Sequence, residues 1–196
     1  MSSPETAAAP TDRASKSSDP FAGLPGHPMM WILIGSELLV FGAGLIAFSA
    51  ARLTDIAGFA EAQNHLDRLT GLINVMVLLT SGLFAALAVE ATRRAQIGRA
   101  RLHLLVAGLF GLVFLIFKGI EYSAEISAGY GLNSGGFFTL YYLITGFHAL
   151  HVVFGLVVLA VVAARPSLVN VETGAAFWHM VDLVWLLVFP IIYLVR

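Results

Sequence analysis

Residues 126–164 read ISAGYGLNSGGFFTLYYLITGFHALHVVFGLVVLAVVAA, without one Asp, Glu, Lys or Arg. A membrane-spanning helix takes about 20 mostly apolar residues, so this run is too long for one. GYGLNSGG at 129–136 breaks it with turn-forming residues, and a helix is expected from Phe137 onward. Four further windows have the same character, at roughly 28–51, 70–90, 102–124 and 174–195. None alternates polar and apolar residues as a barrel strand does. The expected fold class is therefore all-α: an integral membrane bundle of five transmembrane helices, spanning 28–196.

Composition supports this reading. Charged residues make up 12% of the 196, and mean hydropathy is +0.85; a soluble domain carries roughly 25% charged residues. Net charge is −1, which indicates no nucleic-acid partner. The chain has no cysteine, which excludes disulfides, cysteine metal sites, iron–sulfur clusters and thiolate nucleophiles. Residues 1–27 are small, polar and Pro-containing, and are expected to form a disordered cytoplasmic tail without the apolar core of a secretory signal.

Basic residues set the expected orientation. Arg13, Lys16, Arg93, Arg94, Arg99, Arg101 and Arg165 lie on one side, against Arg52, Arg68 and Arg196 on the other. Seven against three places the N-terminus in the cytoplasm and the C-terminus outside.

Polar residues inside the windows are the candidates for function. Glu37 lies about 13 Å into the first helix, where a central charge is costly. It is either a carboxyl hydrogen-bonded to a neighbouring helix or a proton-handling or lipid-organising group. Lys118, Glu121 and Glu125 can meet on one face of the third helix near the outer interface, as an ion pair whose long side chains reach water or as a contact for a partner subunit. His148 and His151, at i and i+3, project to similar sides, and are either packing histidines or haem ligands. In the last helix Trp178, Asp182 and Trp185 share a face. His179 and Asp182 are spaced for a hydrogen bond, and Trp178 and His179 suit the membrane interface. Pro190 is expected to kink the helix end. Phosphate loop, nucleophile elbow and metalloprotease motifs are absent.

These segments together resemble subunit III of the haem–copper oxidase superfamily. The resemblance rests on ILIGSELLVF with Glu37, FKGIEY with Glu121 and Tyr122, and TGFHALHVVFG with His148 and His151. It rests also on ETGAAFWHMVDLVWLLVFPIIYL with Glu172, Trp178, His179, Asp182 and Trp185. It covers residues 28–196 and implies a five-helix form of a fold whose longer members carry two further helices. It implies no catalytic centre, no metal and no redox cofactor in this chain. The haem, with copper or iron, would belong to a partner, subunit I of an oxidase or of a nitric oxide reductase, in a bacterial inner membrane. It also implies bound phospholipid and a link between Glu37 and proton uptake. The alternatives are an assembly factor without a proton role and a b-type electron-transfer cytochrome using His148 or His151.

Overall fold

The computed structural model describes residues 28–195, so the expected tail at 1–27 lies outside the described residues. Six α-helices follow one another: α1 (Pro28–Thr54), α2 (Ile56–Gln63), α3 (Arg68–Arg93), α4 (Ile97–Ser127), α5 (Gly136–Ala164) and α6 (Leu168–Phe189). All but α2 are long and apolar enough to cross a membrane. The described chain is all-helical, and its five spanning helices match the five hydropathic windows.

Local chemistry sets the breaks. Asp55, Asp67 and Ser167 cap α2, α3 and α6, each accepting a hydrogen bond from a backbone amide of the first turn. α4 stops where Gly129 takes φ +91, and α5 starts after Gly135 at φ +122, conformations that disfavour a residue with a β-carbon. α5 thus begins one residue before the expected Phe137.

Two elements go beyond the sequence reading. Between the first two spanning helices Ile56–Gln63 folds as α2 and lays Phe59 against Phe48 and Phe137. Its eight residues are too few for a spanning signal. Pro190 breaks the regular α-helix at the residue where a kink is expected, and the chain passes into a π-helical turn over Pro190–Leu194, closed by the Val195 amide donating to the Pro190 carbonyl at 2.9 Å. Proline lacks the amide that a regular α-turn would use there, and the wider turn accommodates it.

α6 is the hub. Of its most apolar stretch 61% is buried, against 17% for α1, which lies at the edge of the bundle. Trp178 is fully buried, and its indole fills the space left by Gly111 of α4 and Gly155 of α5. A β-carbon at either glycine would approach that ring to 2.7 Å. Trp178 Nε1 donates to Ser81 Oγ at 2.9 Å, and Ser81 in turn donates to the Ala107 carbonyl at 2.6 Å, tying α3, α4 and α6 at one point. The interface position expected for Trp178 is therefore corrected: it is a core wedge. Trp185 is also buried, so both tryptophans hold this chain together and neither offers surface to a partner.

Candidate functional site

Two acid–base pairs among the described residues, in opposite surroundings, stand out within the spans. The first joins α1 to α5: His151 Nε2 is 3.0 Å from Glu37 Oε2, and His151 Nδ1 is 2.8 Å from the Phe147 carbonyl. A carbonyl only accepts, so Nδ1 carries a proton. One further proton then bridges Nε2 and the carboxyl oxygen, residing on the imidazole or on the acid. Either way the pair is neutral overall, which answers why an acid is tolerated in this apolar stretch. Glu37 and His151 retain 23% and 14% side-chain exposure and line a shallow cleft of about 250 Å³ with Leu33, Leu150, Phe154 and Phe177. Phe41 lies edge-on to His151 and shields the inner side.

His148 does not share this site. One turn from His151, it is fully buried, stacked on Trp185 with centroids 5.1 Å apart and edge-on to Phe114. Both histidines lie edge-on to Phe41 of α1, as their i, i+3 spacing implies. They differ in burial: His151 reaches Glu37 at the edge of the bundle, while His148 is enclosed by α4 and α6.

The second pair is sealed inside the bundle. Lys118 Nζ and Glu121 Oε1 are 3.2 Å apart on α4, and Lys118 is 1% exposed. Tyr141 of α5 and Tyr193 of the π-helical turn both donate to Glu121 Oε1, at 2.6 and 2.5 Å. Lys118 donates back to both hydroxyls at 3.1 and 3.0 Å and lies over the rings of Tyr122, Tyr141 and Trp185. Thr145 donates to the Tyr141 carbonyl, which leaves its oxygen to accept from Tyr122 at 2.6 Å. Glu125, a turn further on, is buried as well. The expectation that these side chains reach water at the outer interface is corrected: the ion pair exists, but tyrosines rather than water solvate it. Tyr141 and Tyr193 were missed by sequence reasoning. The available signal was a charge pair in an apolar helix, which needs hydrogen-bonding partners at the same depth.

The remaining candidates line α6. Glu172 receives Arg93 of α3 at 2.8 Å near one membrane face. These two, with Trp31, Ile34, Ala176 and Met180, line a cleft of about 570 Å³ between α1, α3 and α6. His179 Nδ1 is 3.8 Å from Asp182 Oδ2, beyond hydrogen-bonding distance, so the bond expected between them is not made. No group of three or more His, Cys, Asp or Glu able to hold a metal occurs among the described residues.

The fold and these sites define a multi-pass membrane bundle with paired charges in its interior. The family model for cytochrome c oxidase subunit III matches residues 26–195. The chain is 32% identical over 180 residues to a haem–copper oxidase subunit I+III of Aeropyrum pernix, covering 85% of this chain and 22% of that longer protein. It is 30% identical over 174 residues to a probable cytochrome c oxidase subunit 3 of Mycobacterium tuberculosis, covering 84% of this chain and 85% of that one. A cytochrome c oxidase subunit 3 of Bacillus subtilis is 29% identical over 175 residues, with 84% and 83% covered. The chain belongs to the cytochrome c oxidase subunit III family.

Proposed function

We propose that this chain is a non-catalytic accessory subunit of a haem–copper oxidase complex, seated in a bacterial inner membrane beside subunit I. The cytoplasm would lie on the side of the Arg93–Arg101 cluster. Family membership supports the accessory role, and the Aeropyrum relative's name joins subunits I and III in one protein. Haem and metal would reside in the partner. The relatives' names speak for a cytochrome c oxidase and so for oxygen, rather than nitric oxide, as acceptor.

The observation that carries a proton role is the Glu37–His151 bond. It holds one mobile proton on a face still accessible from outside the chain, and a group so placed can buffer protons for a neighbouring catalytic subunit. The cleft headed by Arg93 and Glu172 suits a phospholipid, with the guanidinium beside the phosphate and the apolar wall along an acyl chain.

Glu37→Gln in the intact complex is the test. We expect normal assembly and haem content with faster loss of activity during sustained turnover. An assembly factor without a proton role would instead lose complex yield while activity per haem stayed normal. The b-type cytochrome alternative needs a haem against His148 or His151. His148 is already enclosed by Trp185 and Phe114, and the optical spectrum of the isolated chain decides the matter.

A further inference from the structure

Asp182 is 6% exposed, yet neither carboxylate oxygen has a hydrogen-bond partner. It forms, with Gly82, the floor of a groove of about 350 Å³ between α3 and α6, walled by Leu79, Leu83, Leu183 and Leu186 and flanked by His179, whose Nδ1 stops 3.8 Å short of Asp182 Oδ2. Room for the acid exists only because residue 82 is glycine: a β-carbon there would lie 2.3 Å from Asp182 Oδ2. Ala86, one turn further along α3, keeps the groove shallow enough for a helix backbone to approach.

We propose that this groove receives a transmembrane helix of the partner catalytic subunit, whose hydrogen-bond-donor side chain at mid-membrane depth reaches Asp182. The proposal rests on the accessory-subunit reading above. Depth selects the occupant. Asp182 lies about 21 Å along α6, near the middle of a hydrocarbon layer of about 30 Å. Acyl chains carry no donor, and headgroups do not reach that depth. A second copy packed through the same groove would have to set acid against acid across a two-fold axis, and it is one of the outcomes the test below separates. A polar side chain on a spanning helix of another protein meets the requirement, and unsatisfied polar groups in hydrocarbon are costly enough to favour it.

The chain has no cysteine, so Leu83→Cys gives it a single thiol for a benzophenone photo-crosslinker. The intact complex would be illuminated in native membranes, with Leu109→Cys on the α4/α5 face as control. We expect the Leu83 probe to mark a subunit I transmembrane segment carrying a donor residue within one turn of the adduct, and the Leu109 probe to mark lipid. In detergent, Asp182→Leu should retain about tenfold less partner, while Asp182→Asn, which still accepts a hydrogen bond, retains it. Because Asp182 has no hydrogen bond within this chain, the isolated Asp182→Leu chain should keep its Tm. Adducts to lipid alone, adducts to a second copy, or full partner retention by Asp182→Leu would overturn the docking surface and leave the accessory role standing. Absence of any haem-bearing partner from the unmodified chain would overturn both.

Discussion

The Glu37–His151 and Lys118–Glu121 pairs are alike in charge balance and opposite in surroundings. One joins two helices at the edge of the bundle and keeps part of its surface open. The other sits between neighbouring residues of one helix and is closed over by tyrosines and Trp185. Charge neutrality admits both to the membrane, but of the two only the open pair keeps surface that a neighbouring chain can reach. Burial turns an acid–base pair into a structural rivet, and partial exposure leaves it chemically available. α5 serves both, presenting Tyr141 to the sealed pair and His151 to the open one.

The strongest way to break the comparison is to open the sealed pair. Lys118→Met leaves Glu121 buried without its counter-charge and should cost about 3–5 kcal/mol, read as a large loss of Tm and of assembled complex. Replacing both residues together, Lys118→Met with Glu121→Leu, should recover much of that loss. A double variant as unstable as the single one would show that the tyrosine hydroxyls, not the charge pair, are what the core depends on.

His151→Phe is expected to be far milder, within about 1 kcal/mol, because the Glu37–His151 bond lies at the partly exposed edge of the bundle. Infrared spectra after transfer to D2O sharpen the contrast: the Glu37 and His151 bands should shift within minutes, and the Lys118–Glu121 cluster much more slowly. Equal exchange would mean that the inner pair also has a proton path.

An effect of similar size is expected at the membrane edge. The Thr70 hydroxyl donates to Asp67 and holds its carboxyl below the ordinary range. A lowered acid contributes stability above its unfolded value, about pH 4, and that contribution is lost as pH falls through the folded value. Asp67→Ala should therefore cost about 1 kcal/mol at neutral pH, mostly as a lost helix cap, and less in acid, measured by thermal unfolding at pH 7 and pH 3.

The five spans were legible in the sequence because hydropathy over 20 residues is a local property, and GYGLNSGG marked the one break that apolarity hid. Glu37 stood out for the same local reason. Its partner did not: His151 is 114 positions away, and nothing in TGFHALHVVFG says that His151 reaches an acid on α1 while His148 is enclosed by α4 and α6. Lys118 and Glu121 were seen as a pair, but their enclosure was not, because the tyrosines that solvate them come from positions 141 and 193. Trp178 looked like an interface anchor because its enclosure depends on glycines at 111 and 155, on two other helices. In each case composition along one helix was readable and the meeting of helices was not.

The far end of the π-helical turn bears on how the chain is made. Gln63 donates to the Ile192 carbonyl at 2.7 Å, and Arg52 donates to the Val195 carbonyl, so the α1–α2 corner clasps the last described residues. At about 5–20 residues per second, the ribosome adds the acceptors of this clasp roughly ten seconds after it has finished Gln63. Until then α1 has no hold on the far end of α6, and the hub helix is still missing. Closure of the bundle therefore waits for the Pro190–Leu194 turn. A nascent chain stalled before Pro190 should remain open to proteases that the finished subunit resists.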